Sequence, residues 1–200
     1  MYRTHLRIAL AAVAACAASP LLAQVPSTMA TPPQAVAPTT PPPKPASFQI
    51  SGAMVLPAFS YNDWLASIGW QGQATLILRR SPYNHIRVEG EYNYTAYDAN
   101  VTNLTGGAEL YGGGIGGGRI ITKGTTVSES YLVLGGYENS FATCVANTCT
   151  KFSEFQFGTK VGVDVVMGRG KVRPLLDFHW LATWSQPYAS VFAIGLGLRV

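Results

Sequence analysis

Asp177 and His179 are the first residues whose types and spacing suggest chemistry. Two positions apart on an extended chain, they project from one face, and a carboxylate beside an imidazole is general-base geometry. A hydrolytic site would also need a nucleophile, and the His-x-Ser arrangement is missing, because Trp180 and Leu181 follow His179. The pair therefore reads as structural. Gly112, Gly114 and Gly117 match the spacing of a phosphate-cradling glycine loop, yet they sit in the run GGGIGGG with no helical pattern after it. Without that helix the spacing carries no nucleotide site, and the run reads as a strand that must bend or pack closely. Cys144 and Cys149, close together in FATCVANTCTK, read as a local disulfide; two thiols with no histidine nearby do not make a metal centre. Asn93-Tyr94-Thr95 and Asn103-Leu104-Thr105 fit the glycosylation sequon, which carries no chemistry of its own. No catalytic residue, cofactor or metal is expected.

The start of the chain bears on the compartment. Arg3, His5 and Arg7 precede an apolar run from Ile8 to Ala18, then Pro20 and a small residue at Ala23. That order is a secretory signal peptide over residues 1–23, too short to span a bilayer as a helix. Val13-Ala14-Ala15-Cys16 is a competing lipidation site, and either route exports the chain. Residues 24–47, rich in Pro, Ala and Thr, read as a disordered periplasmic tail. Loss of Arg3 and Arg7 with the signal takes 14 basic residues to 12 against 10 acidic, too weak a surplus for nucleic acid. Charged residues make up only 12% of the chain, about half the usual share. Such an outer surface is not solvated by charge. No long apolar run follows the signal, which excludes a helical membrane protein.

From Phe48 onward the pattern alternates with a period of two, the mark of strands. The clearest run, 153–166, sets Phe155, Phe157, Thr159, Val161, Val163 and Val165 against Glu154, Gln156, Gly158, Lys160, Gly162 and Asp164. Seven more runs follow the same rule: 48–56, 64–78, 83–95, 104–120, 126–137, 172–184 and 188–200. In 83–95, Ile86, Val88, Tyr92 and Tyr94 alternate with Arg87, Glu89, Glu91 and Asn93. In 126–137, Tyr131, Val133 and Tyr137 alternate with Ser128, Ser130, Leu132 and Leu134. The glycine-rich run 104–120 has few side chains to read, and there Glu109 and Arg119, which share a parity, are assigned inward.

One face of each strand is apolar and the other polar, so the question is which looks inward. Short basic turns (Arg79 and Arg80, Lys123, Arg169 and Lys171) follow alternate strands, and longer or more polar segments follow most of the others. Trp64, Tyr92, Tyr94, Tyr137, Trp180, Trp184 and Tyr188 then fall at one height, where an amphipathic ring suits a membrane boundary. This selects an all-β fold, an eight-stranded antiparallel up-and-down transmembrane β-barrel over residues 48–200, with its apolar face to lipid. The lumen would then hold Arg87, Glu89, Glu91, Glu109, Glu154, Lys160, Asp164, Arg173, Asp177, His179 and Arg199 as a plugging network.

The last residues, Ala193 to Val200, look like the outer-membrane assembly signal, with Gly195, Leu198 and Val200 at matching positions; Ala193 and Val200 depart from its usual polar and Phe residues. With the strand count, residues 48–200 resemble the small outer-membrane β-barrels of the OmpA and OmpX type. The resemblance implies residence in the bacterial outer membrane, periplasmic chaperones on the way, and insertion by the barrel-assembly machinery. Outer-membrane lipid, and an extracellular ligand at the outer loops, are the further partners expected. The expected role is non-enzymatic: envelope integrity or surface binding, chiefly through the Cys144–Cys149 loop. A small pore or transporter, or a lipid A-modifying barrel enzyme, is the alternative.

Overall fold

The computed structural model describes residues 46–57, 65–98, 105–145, 148–185 and 189–200. The signal peptide with Cys16, nearly all of the Pro-rich tail, and the girdle residues Trp64 and Tyr188 lie outside the described residues.

Eight strands form: β1 (Ala46–Pro57), β2 (Gly69–Arg79), β3 (Asn84–Ala96), β4 (Thr105–Lys123), β5 (Thr126–Val145), β6 (Thr148–Val166), β7 (Arg173–Thr183) and β8 (Ser190–Arg199). Each pairs antiparallel with the next, and β1 closes on β8 from Gln49↔Arg199 to Pro57↔Val191. Closure leaves the spanning part of the ring without an unpaired edge, the condition for a sheet in lipid. The tight turns and the start of β1 lie at one end, the turn end; the long β5–β6 hairpin rises from the other.

The exposure pattern settles which face looks inward. On β3, His85, Arg87, Glu89, Glu91, Asn93 and Thr95 are buried, whereas Val88 is exposed. On β8, Phe192, Ile194, Leu196 and Leu198 are exposed and Arg199 is wholly buried. Apolar outside and charged inside is the transmembrane arrangement, the inverse of a soluble barrel. The lumen is layered. Val55, Leu110, Tyr137, Leu181 and Val191 form an apolar cluster toward the hairpin end. Ile120, Val127, Val166 and Leu175 form a second at the turn end. Arg87, Glu89, Glu91, Lys160, Asp164, Asp177 and His179 lie between these two clusters, and Arg79, Arg173 and Arg199 stand at the turn end beside the second.

Several sequence expectations are corrected. β1 begins at Ala46, inside the expected tail, and β2 begins at Gly69 rather than at residue 64. Cys144 and Cys149 are cross-strand partners in the β5–β6 ladder rather than members of a loop. The disulfide bonds them as expected, and only residues 146–147 separate the strands. The sequence-based boundary failed there because above the membrane the alternation of apolar and polar residues lapses while the backbone pairing continues.

β5 is the instructive strand. Its outward face carries Leu132 and Leu134 beside Ser128 and Ser130, and Tyr131, Val133 and Tyr137 point into the lumen. Both faces are partly apolar, so the pattern alone does not orient the strand. Tyr137 therefore belongs to the apolar lumen cluster and not to the girdle. Space for such rings comes from glycine: at Gly162 a Cβ would stand 2.5 Å from Tyr131 Oη and 2.7 Å from His179 Cβ. On β4 the inward set is Ala108, Leu110 and Ile120, which turns Glu109 and Arg119 outward.

Candidate functional site

Three strands supply most of the lumen charge, β3 giving Arg87, Glu89 and Glu91, β6 giving Lys160 and Asp164, and β7 giving Asp177 and His179. Their alternation places each set on the inner face, and the narrow bore brings opposite walls within hydrogen-bonding reach. Lys160 crosses from β6 to β3, its Nζ 2.9 Å from Glu89 Oε1 and also bonded to Glu91. The same ammonium donates to Gln73 Oε1 at 2.8 Å. Arg87 runs the other way, bridging Glu89 on its own strand and Asp164 on β6. Its guanidinium also stacks on the Tyr131 ring, 3.7 Å from the centroid. Glu89, Glu91 and Asp164 are buried along with Lys160 and Arg87, so each charge is held by partners and not by water.

Toward the turn end, Arg199 donates to Gln49 Oε1 at 2.7 Å and to Glu129 Oε2 at 2.6 Å. Gln49 donates in turn to Asp164 Oδ2 at 2.8 Å, joining the two halves of the network. Arg79 reaches Glu129 at 3.4 Å. The sequence pattern does not place Gln49, Arg79, Glu129 or Tyr131 in the lumen network; Arg79 reads there as a turn cation and Tyr131 as one of an apolar set. Glu129 sits two residues before Tyr131 on β5, so it shared the fate of the strand whose orientation the pattern left open.

Asp177 and His179 do meet: His179 Nδ1 lies 3.1 Å from both Asp177 oxygens, and Tyr131 Oη donates to Asp177 Oδ1 at 3.1 Å. The other ring nitrogen, Nε2, faces the Gln71 amide nitrogen at 3.1 Å. That amide is a donor and also donates to Glu91 Oε2 at 2.7 Å. Nε2 therefore accepts, and Nδ1 carries the proton toward the carboxylate. Both nitrogens are engaged within a buried network, which gives the pair a packing role and no approach for a substrate.

The remaining predicted residues are dispersed. Glu109 projects outward, accepting from Tyr92 Oη at 2.8 Å and meeting Lys151 at 3.4 Å. Its register opposite Tyr94 gives it the parity of that lipid-facing ring. Glu154 has lumen parity but stands above the barrel, opposite Asn139, where β6 has not yet reached β7. Arg173 is half-buried at the turn end, in register with Arg199. At the outer rim, Trp70 and Tyr92 tilt together with centroids 5.3 Å apart. Trp180 Nε1 donates to Ser190 Oγ at 2.7 Å, Trp184 Nε1 to Thr159 Oγ1 at 2.8 Å, and Tyr94 Oη to Gly106 O at 3.3 Å. Each ring keeps an apolar body to lipid and satisfies its polar atom on the wall. Gly195 is buried between Ala53 and Asp177, while Leu198 and Val200 face outward at the β8–β1 seam.

Above the barrel, β4, β5 and β6 continue as a raised three-stranded sheet. β4 pairs with β5 as far as Thr105↔Cys144, and β5 with β6 as far as Val145↔Thr148. The β6–β7 ladder begins only at Gly158↔Thr183. Among the described residues no strand pairs with the far edge of β6 from Thr148 to Phe155.

No protein-family model matches the chain, and no curated protein does. Solved structures do. Neisserial surface protein A is similar over 78% of this chain and 97% of its own, with a TM-score of 0.57 and 13% identity. Ail, the attachment invasion locus protein of Yersinia pestis, is similar over the same shares, with a TM-score of 0.55 and 12% identity. A major outer membrane protein from Thermus thermophilus is similar over 77% of this chain and 98% of its own, with a TM-score of 0.52 and 9% identity. Identities this low carry the fold alone, and that fold is the small eight-stranded transmembrane barrel.

Proposed function

We propose that the chain is a bacterial outer-membrane protein, its turn end in the periplasm, that binds a partner outside the cell through the raised sheet. The observation that carries this reading is the far edge of β6 from Thr148 to Phe155, which pairs with no described strand, stands above the β6–β7 ladder and is held by the Cys144–Cys149 disulfide near its tip. A free edge is a template for one more strand, and main-chain hydrogen bonds supply the affinity. Exposed Phe152 and Phe155 flank it, ready to cover apolar side chains of an incoming segment. The disulfide fixes the ladder beforehand, which lowers the ordering cost of binding.

The partner is an extended protein segment. Ail has been captured with the heparin analogue sucrose octasulfate, yet the outer region here carries Asp98, Glu109, Glu138 and Glu154 with Lys151 as the one described cation. That balance repels a polysulfate. The barrel beneath is the anchor, and the bonds that cross its lumen argue against a pore. Insertion would run through the assembly machinery reading Gly195, Leu198 and Val200, after delivery by periplasmic chaperones.

Ser153→Pro tests this reading. Phe157 points its carbonyl to the β7 side, where it accepts from Trp184 N at 2.9 Å, so Phe155, Ser153 and Lys151 point their main-chain groups the same way. A proline at 153 removes an edge donor and leaves the β5 ladder whole. A displayed library of random peptides, panned on the nanodisc-embedded protein, should enrich β-branched, extended sequences on the wild type and not on Ser153→Pro. No enrichment on the wild type, or equal enrichment on both, would refute strand addition at this edge.

A further inference from the structure

The small net charge of the chain conceals a separation along the barrel axis. The turn end carries Arg79, Arg80, Arg119, Lys123, Arg169, Lys171, Arg173 and Arg199, and the acidic side chains that meet cations there, Glu129 and Asp164, are both buried. Glu129 is buried and already engaged by Arg79 and Arg199. Arg80, Arg119, Lys123, Arg169 and Lys171 are exposed, and no exposed Asp or Glu side chain lies among the described residues of that end. The hairpin end has the opposite balance.

These five cations are interleaved with apolar side chains that have nothing of the barrel to cover them. Tyr83 is 72% exposed, Ile121 68% and Val172 55%, each within three residues of a cation. Arg119 projects outward on β4, in the same set as Ile121 and Ile115, so its stem lies along the lipid-facing wall. A ring of cations on apolar stems, alternating with exposed apolar residues, fits the depth where acyl chains give way to headgroups.

We propose that this collar binds the phosphates of anionic phospholipids in the inner leaflet of the outer membrane. The proposal rests on the orientation given above, with the turn end toward the periplasm. Two observations favour a lipid headgroup over a wall polymer. The turns are short, so their cations stay at the bilayer surface, and the neighbouring Tyr83, Ile121 and Val172 need hydrocarbon beside them. An excess of unpaired cations prefers a lipid with net negative charge to a zwitterionic one, by about fivefold per cation.

The test uses the full-length protein in neutral detergent at low salt, offered equal amounts of phosphatidylglycerol and phosphatidylethanolamine and read by native mass spectrometry. The wild type should retain phosphatidylglycerol at least about tenfold over phosphatidylethanolamine, and the preference should fall toward parity in about 0.5 M salt as the charges are screened. A variant combining R80Q, R119Q, K123Q, R169Q and K171Q should lose the preference while keeping heat-modifiable mobility on gels. The charge-conserving R80K, R119K and R169K variant should retain it, which separates charge from folding. Equal retention of both lipids by the wild type overturns the proposal, as does a preference that survives in the glutamine variant. Charge-dependent binding of purified cell-wall sacculi to the protein in phosphatidylethanolamine nanodiscs, without lipid preference, also overturns it and assigns the collar to the wall. Orientation is tested separately: a T125C variant labelled by an impermeant maleimide on intact cells would put the turns outside and overturn the inner leaflet as the source.

Discussion

Replacing Lys160 by Met removes the charge that ties β6 to β3 across the lumen. The Lys160 side chain is wholly buried and bonded to Glu89, Glu91 and Gln73. Glu89 keeps Arg87 as a partner. Glu91 keeps the Gln71 amide, which is neutral, so it becomes a buried carboxylate without a bonded countercharge. Breaking one side of a buried ion pair costs about 3–5 kcal/mol. With a urea slope of about 2 kcal/mol per molar, the unfolding midpoint should fall by about 2 M. The assay is loss of heat-modifiable mobility across a urea series in detergent micelles. A second change, Glu91→Gln, removes the stranded charge and keeps an amide that can face Gln71. The double variant should therefore recover a large part of the loss, with a coupling of about 2 kcal/mol in the double-mutant cycle. A Lys160→Met shift below about 0.5 M, or a double variant no more stable than Lys160→Met, would refute the claim that this lysine is held by charge pairing.

Two further outcomes follow from the lumen. Gly162→Val places a side chain against Tyr131 and His179 and should destabilise by about 1–3 kcal/mol or more, read in the same urea series; an unchanged midpoint would mean that the two rings are not packed on Gly162. Reconstituted in planar bilayers, the wild type should give no steady single-channel current, because paired side chains cross the bore from β6 to β3 and from β8 to β5; resolved ohmic steps would show that the network leaves a conducting path.

How much of this was legible in the sequence depended on the strand. On β3, β6, β7 and β8 one face is charged or glycine-rich and the other continuously apolar, so parity was readable and Arg87, Glu89, Glu91, Lys160, Asp164, Asp177, His179 and Arg199 were placed together from pattern alone. The pairs they make were not readable, because shear offsets opposite walls by amounts that alternation does not encode. β4 and β5 failed for a related reason. Glycines in GGGIGGG carry no polarity, so Glu109 was assigned to the wrong side. On β5, lumen tyrosines and lipid-facing leucines are both apolar, and Tyr137 was mistaken for a boundary ring. The two strands fit each other physically: β4 gives up side chains where β5 fills the bore. That compensation belongs to the pair and is invisible in either run alone.

The zoning of charge ties these observations to one division of labour. Within the membrane-spanning part, charge occurs in a lumen layer where Arg87 and Lys160 meet Glu89, Glu91 and Asp164 across the bore, and these bonds lock the wall. Such a wall has little freedom to change shape for a ligand. The raised β4–β6 sheet is different, since from Thr148 to Phe155 the far edge of β6 pairs with no described strand. At the opposite end the cations stand on short turns and can move only with the barrel, which suits holding the protein at a fixed depth. The proposed recognition therefore calls on the β6 edge, whose main-chain groups have no strand partner among the described residues, and the proposed anchoring on the barrel wall and the cations of its turn end.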